Sequence, residues 1–333
     1  MRILVTGGTS LIARATIDRL VGRGDVVTSF QRRQGSPAVG VTELLGDIVD
    51  GHSVGQAAVG HDAIVHVAAK VDVIGPWSDY QRVNVQGTAN VVAAARSNGI
   101  GRLVYVSSPS VAHGGGSLVG IGAHAADPAV TRGHYATSKA MAERVALDAV
   151  APGFDVVAVR PHLVWGPGDT QLVGRIVDRA RSGRLAVVGS GGALIDSTYI
   201  DNAADALVAA LDRTPGLSGQ ALVVSNGEPR PVGELLARIV SAAGLTMSRT
   251  KVPKAVAFFG GMAIERIWEV ARLTGEPPMT SFLAEQLSTS HWFDQRHTRE
   301  ALGWSPAVGI DEGLSRLADW YRTEGTTAAL PVF

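Results

Sequence analysis

A chain of 333 residues that is 46% hydrophobic and 18% charged has the composition of a folded protein with a sizeable core, which excludes intrinsic disorder. Lys plus Arg and Asp plus Glu both number 30, so no bulk basic field exists to hold nucleic acid or an anionic membrane, and a small molecule is the expected partner. The absence of cysteine removes disulfides, thiolate metal sites and cysteine nucleophiles together.

Ile3-Leu4-Val5 is an apolar run ending in Thr6-Gly7-Gly8. The segment from Leu11 to Val21 that follows puts Leu11, Ala15, Ile17 and Leu20 on one helical stripe, so the start reads as strand, tight turn, helix. These first residues leave no room for the apolar core of a signal peptide, and a cytoplasmic location is expected. Further strands are expected at Val26 to Phe30, just before Asp47, at Ala63 to Val67, at Leu103 to Val106 and at Val156 to Val159. A helix from Asn84 to Arg96 stops at Asn98-Gly99. Strands alternating with helices imply an α/β fold on a doubly wound parallel sheet. After Gly166-Pro167-Gly168 the alternation loosens into a mostly helical remainder. Its longest apolar run, Ala255 to Ile264, is far shorter than the roughly 20 residues that span a bilayer, so no transmembrane anchor is expected. No histidine spacing suggests a metal site.

A glycine turn between the first strand and first helix lets backbone N–H groups approach a pyrophosphate, which the helix N-terminus then stabilises. Thr6-Gly7-Gly8-Thr9-Ser10-Leu11-Ile12-Ala13 occupies that place, with Gly7, Thr9, Ser10, Leu11 and Ile12 as candidate contacts. By spacing it resembles the fingerprint of the extended short-chain dehydrogenases/reductases, with Gly7, Ser10 and Ala13 at that fingerprint's three glycine positions. Ser10 puts a side chain where the backbone should approach phosphate, so either the loop widens or the hydroxyl bonds the phosphate itself. After the second strand the chain reads Phe30-Gln31-Arg32-Arg33. Gln31 carries no charge to repel a 2′-phosphate, and Arg32 and Arg33 can bind one, which favours NADP over NAD.

Tyr135-Ala136-Thr137-Ser138-Lys139 places tyrosine and lysine four apart on one helical face. An ammonium about 4 Å from a phenol favours the phenolate, so Lys139 is expected to lower the Tyr135 pKa and make it an acid/base. Spacing alone is compatible with an exposed pair of no consequence. Ser108, just past a strand and so at the carboxyl edge of the sheet, supplies a hydroxyl that can hold a substrate carbonyl.

The resemblance to extended short-chain dehydrogenases/reductases runs over nearly the whole chain. It includes Asn84-Val85-Gln86-Gly87-Thr88, Arg160-Pro161, Trp165-Gly166-Pro167-Gly168-Asp169 and Tyr199-Ile200-Asp201-Asn202-Ala203. Within them the chain looks most like the 3β-hydroxysteroid dehydrogenase branch, especially its 2-alkyl-3-oxoalkanoate reductases of olefin and β-lactone biosynthesis. Ser107-Ser108-Pro109-Ser110-Val111, Ser225-Asn226-Gly227-Glu228-Pro229 and Gly275-Glu276-Pro277-Pro278-Met279-Thr280 carry that likeness. The resemblance implies a Rossmann domain of residues 1–167 with 196–224 and a smaller substrate domain of residues 168–195 with 225–333. It implies cofactor contacts from Asp47, Ile48, Ala68, Ala69, Ser107 and Pro161. Ser108 would position the carbonyl, Tyr135 would donate its proton, and Lys139 would bond the nicotinamide ribose. Asn84 would order the helix or a relay water.

The implied reaction is NADPH-dependent reduction of a 2-alkyl-3-oxoalkanoic acid to the 3-hydroxy acid, in lipid metabolism. A 3β-hydroxysteroid dehydrogenase and a catalytically silent NADP-binding regulator are the alternatives. The implied partners are an acyl or sterol-like small molecule, a second copy in a homodimer, and other enzymes of a pathway. Ala255 to Ile264, with Phe258 and Phe259, is expected either as a buried helix or as the wall of a channel for long acyl chains. Gly51-His52-Ser53-Val54-Gly55 and His113-Gly114-Gly115-Gly116 imitate a hydrolase elbow and oxyanion loop. They stand in the wrong chain order for that fold, so a short surface helix and an active-site loop are expected instead.

Overall fold

The computed structural model describes residues 1–324 apart from 36, 37, 73, 74, 249, 272 and 274–276. Gly275 and Glu276 of the proline-rich motif therefore lie outside the described residues. Seven strands form the main sheet: β1 Arg2–Thr6, β2 Val26–Gln31, β3 Val41–Leu45, β4 Ala63–His66, β5 Arg102–Val106, β6 Asp155–Pro161 and β7 Ala221–Val224. Their spatial order is β7-β6-β5-β4-β1-β2-β3, every neighbouring pair parallel. The chain thus winds outward from β1 in both directions, and the crossover helices cover both faces.

Alternation along the strands divides the core. Ile3 and Val5 join Ile17, Leu20, Val104, Leu207 and Leu211 on one face. Leu4 joins Phe30, Ile64, Val91, Leu103 and Ala146 on the other. Helix α1, Leu11–Gly22, packs on the first face beside the helix Ile200–Arg213. The expected helix at Asn84 begins as a π-helical turn over Gln81–Gln86 and becomes α-helical over Gly87–Ser97. Such turns recur where a helix is adjusted at functional sites. Helix α2, His134–Leu147, lies next to it and presents Ala142 and Ala146 to the sheet, small residues that permit a close approach.

The remainder is not purely helical. Four short strands, Arg230–Pro231, Leu194–Ile195, His291–Phe293 and Leu118–Ile121, form a second sheet in that order. Leu118–Ile121 follows directly from the Ser108 region, so the two sheets share a segment. Two-residue strands carry no period that a sequence pattern can display. A third core of Trp165, Ile176, Tyr199, Leu236, Ile239 and Leu314 lies beneath the helices of this part. The motif residues Asn202 and Asn226 clamp it. Asn226 Oδ1 accepts from the Tyr199 N–H and from Asn202 Nδ2, and both side-chain amides donate to the Val308 carbonyl.

The apolar run is a helix over Lys254–Val270, and only one side of it is covered. Ala257 is buried and Phe258 packs against the cluster of Val188 and Ala284, whereas Phe259 is 67% exposed. The expectation of a fully buried helix or a channel wall of both phenylalanines is therefore corrected: Phe259 faces solvent. Hydropathy reports the apolar content of a helix but not which of its faces has a neighbour. Among the described residues no helix is long and apolar enough to cross a membrane.

Candidate active site

At the turn after β1, Gly7 has φ +74°, and a Cβ there would sit 2.9 Å from the Ala68 backbone. Only glycine fits both the conformation and the space. Ser10 is held within the turn itself. Its Oγ donates to the Gly7 carbonyl (2.9 Å) and accepts from the Ala13 N–H (3.4 Å), so it caps α1 and closes the turn on itself. The Leu11 and Ile12 N–H groups stand in the first turn of that helix, where no intrahelical acceptor exists. Thr9 is exposed beside them.

At the end of β2, Gln31 is buried, its Nε2 donating to Glu43, which also accepts from the Gly35 N–H (2.8 Å). Gln31 Oε1 has no partner and lies 2.6 Å from where a Cβ on Gly8 would be. Arg32 and Arg33 are exposed, with no ion pair or hydrogen bond to the described residues. Asp47 Oδ1 accepts from the Val49 N–H of its own turn (3.0 Å). Ile48 is 6% exposed and packs beneath Gly87. The structure thus gives this pair a turn-closing and a packing role. The Val67 and Ala68 N–H groups donate to Thr6 Oγ1, both at 3.2 Å, which holds the small residues of this segment against the turn. Ala69 and Pro161 are half-buried, and Ser107 Oγ is buried without a partner. A turn with no room for a Cβ at Gly7 or Gly8 and the orphaned buried oxygens of Gln31 and Ser107 together suit a dinucleotide.

The reaction end is built by β5 and α2. Ser108 follows β5 and caps the short helix Pro109–Ala112, its Oγ lying 2.9 Å from Ser110 Oγ. Burial pushes the Tyr135 phenol above its ordinary value, and a hydrogen bond with Ser108 pulls it partway back. Lys139 is 3% exposed; its Nζ donates to the Val106 carbonyl (2.7 Å) and stands 4.2 Å over the Tyr105 ring. Burial lowers Lys139 to about 7, against the opposing charge of Glu143. The expectation that Lys139 depresses Tyr135 is therefore corrected. Removal from water acts on both groups, raising the phenol and stripping the amine of part of its charge. Asn84 takes the first of its two expected roles. Its Oδ1 accepts from the Lys70 N–H (2.7 Å), and its Nδ2 donates to Ser138 Oγ (2.9 Å), which fixes α2 next to Tyr135.

Two buried groupings were not expected as such, although Arg160 and His113 stand in stretches that the sequence marks. Glu143, one turn beyond Lys139, forms a forked ion pair with Arg160, both about 1% exposed or less. Its i,i+4 relation to Lys139 is a signal the sequence does carry. His113, His162 and His291 gather in one cluster, their neighbouring ring centroids 6.1 and 6.2 Å apart, and His113 shares a crevice with Ser110. Burial, the main cause, lowers His66 and His162 to about 3 and His113 to about 4. No chain-local pattern announces this cluster. Ser53 of the hydrolase-like stretch lies on the short helix Gly51–Ala57 and donates to its N-cap, Asp50. Among the described residues no group of three or more His, Asp or Glu side chains is placed to hold a metal ion.

These histidines fix an acid dependence. Their folded pKa values lie below the unfolded value of 6.5, so the stability they contribute is fully present above pH 6.5 and lost as pH falls toward 3, where they must charge in place. The urea midpoint should fall progressively between pH 6.5 and pH 3, and His162→Asn should flatten that slope. A midpoint independent of pH in this window would contradict the assignment.

The 3-beta hydroxysteroid dehydrogenase/isomerase family matches residues 4–254. The chain is 44% identical to 2-alkyl-3-oxoalkanoate reductase of Stenotrophomonas maltophilia (strain K279a) over 324 residues, 95% of this chain and 98% of that one. It is 40% identical to the Shewanella oneidensis protein of the same name, over 94% of this chain and 84% of that one. In fold it is similar to the solved structure of MoeE5 in complex with UDP-glucose and NAD, with a TM-score of 0.75 and 23% identity over 97% of this chain and 99% of that one. The chain belongs to the 3-beta hydroxysteroid dehydrogenase/isomerase family, within the extended short-chain dehydrogenases/reductases, and is an oxidoreductase.

Proposed function

We propose that the chain reduces the 3-oxo group of a 2-alkyl-3-oxoalkanoic acid to the 3-hydroxy acid with NADPH. The observation that carries this reading is the convergence of Ser108 and the half-buried Tyr135 phenol, hydrogen-bonded to each other past the carboxyl end of β5, with Lys139 one helical turn on. The 44% identity to a reductase of that name points to the substrate class. The Gly7 turn and the start of α1 would take the pyrophosphate, Arg32 and Arg33 the 2′-phosphate, and Ser107 and Pro161 the nicotinamide end. The nicotinamide supplies hydride to the carbonyl carbon when bound. Ser108 holds the carbonyl oxygen. Tyr135 donates its proton to the oxygen as it becomes an alkoxide, a far stronger base than a phenolate. A raised phenol pKa is therefore no obstacle in this direction, since it keeps the proton in place until the alkoxide forms. Lys139 would hold the nicotinamide ribose in exchange for the Val106 carbonyl.

Binding and turnover test each part. NADPH should bind more tightly than NADH, and changing Arg32 and Arg33 together to Ala should reduce that preference about 10- to 100-fold, the loss of one or two charge-assisted hydrogen bonds. An unmoved preference would remove the arginines from the site. Turnover of 2-alkyl-3-oxo acids but not of 3β-hydroxysteroids is the expected result. Steroid turnover alone would move the activity to the dehydrogenase reading. Dinucleotide binding with no carbonyl turnover would make the protein a regulator.

A further inference from the structure

A 3-oxo acid carries a carboxylate two carbons from the reacting carbonyl, and an anion drawn into a half-buried site needs a cation or several N–H donors. Most cations near Ser108 are already committed. Lys139 donates to the Val106 carbonyl, and Arg160 is paired with Glu143 and donates to the His124 carbonyl (2.7 Å). Lys70 is paired with Asp72 (2.6 Å). The clustered His113 and His162 are held neutral by burial.

Arg132 differs. It is 61% exposed, stands three residues ahead of Tyr135, and lines a narrow crevice with Ser110, His113, Ala136, Phe282 and Glu285. That crevice begins one hydroxyl from the carbonyl position, because Ser110 Oγ is 2.9 Å from Ser108 Oγ. A carboxylate already sits in it. Both Glu285 oxygens accept from Arg132 Nη1 at 3.2 Å, and Oε1 also accepts from the Gly116 N–H at 3.2 Å. A Cβ on Gly115 would lie 2.6 Å from Glu285 and 2.9 Å from Arg132, so the glycine run is what lets the backbone approach this pair. The active-site loop expected at His113-Gly114-Gly115-Gly116 thereby acquires a specific task.

We propose that Arg132, with the Gly116 N–H, is the seat for the substrate's carboxylate, and that Glu285 fills this seat until substrate displaces it. The proposal rests on the reading of the substrate as a 3-oxo acid. Exchanging one carboxylate for another at the same donors keeps the guanidinium paired throughout. Glu285 then sets how much a competing anion must gain to enter, so it acts on affinity and selectivity rather than on the chemical step.

The test uses the full chain in the oxidative direction with NADP⁺, on the stable 2-alkyl-3-hydroxyalkanoic acid and on its methyl ester. The unchanged chain should favour the acid in kcat/KM. Arg132→Ala should reduce that acid-over-ester preference about 10- to 100-fold, mainly through KM. Glu285→Gln should do the opposite and lower the KM of the acid, because a neutral amide leaves the seat more readily. If Arg132→Ala leaves the preference unmoved, or the unchanged chain does not favour the acid, the proposal is overturned while the 3-oxo acid reading stands. If Glu285→Gln raises the acid's KM as Arg132→Ala does, the pair is only a structural tie and the proposal is likewise overturned. If the unchanged chain turns over neither compound, both readings fall together.

Discussion

Changing Tyr135 to Phe should lower kcat for ketone reduction about 1,000-fold while dinucleotide binding persists. The change removes one oxygen. What disappears is the proton that neutralises the alkoxide, a general-acid contribution of about 10²- to 10⁴-fold. The ring stays, so α2 and its contacts to the sheet should be unaffected. The pH dependence is a second, independent readout. Because burial raises Tyr135 above its ordinary value of 10.0, reduction should run level through neutral pH and decline only above that value. Oxidation of the 3-hydroxy acid needs the deprotonated phenol, so its rate should climb with pH over the same range, about tenfold per unit where the phenolate is scarce. Stopped-flow and steady-state rates in both directions would show this. A Phe variant that retains its rate would transfer the acid role to another group.

The buried ion pair should carry the largest effect on stability. Glu143 and Arg160 are removed from water, and Arg160 keeps only the His124 carbonyl if Glu143 is lost. Glu143→Ala should therefore cost about 3–5 kcal/mol, since an uncompensated guanidinium stays in the core. Urea unfolding followed by far-UV circular dichroism would measure it. Replacing both residues with Met should recover most of that loss, because an apolar pair of similar volume asks for no partner. Glu143 also supports the charge on Lys139, so its removal should push that amine still further below about 7. If the single variant unfolds at the same urea concentration as the parent, the pair is not buried as described.

Much of the main sheet was legible because its strands are buried on both faces and read as unbroken apolar runs, Ile3 to Val5 and Val156 to Val159 among them. β7 was harder, since Ala221–Val224 is only four residues long, although the helix Ile200–Arg213 that leads into it is strongly amphipathic. The two-residue strands of the second sheet were out of reach in principle. The proposed site was nominated from the spacing of Tyr135 and Lys139 and from the place of Ser108 after β5. The electrostatics of these residues were not legible, because the state of Lys139 depends on the Tyr105 ring and the Val106 carbonyl, which only the folded chain brings to it. Ser10 shows the same limit at smaller scale: its identity was plain, but its commitment to Gly7 and Ala13 is a matter of rotamer. Arg132 and Glu285 are 153 positions apart, and no local pattern connects them.

The strand Leu118–Ile121 gives the site an unusual mechanical character. The ten residues after Ser108 leave the main sheet and are stitched into the second one, where Leu118 pairs with His291. The stretch that carries the serine, the glycine run and His113 is thus pinned at both ends, one in each sheet. A clamshell that swung wide would have to tear this seam. A seam of this kind favours entry past side chains over a wide swing of one part against the other.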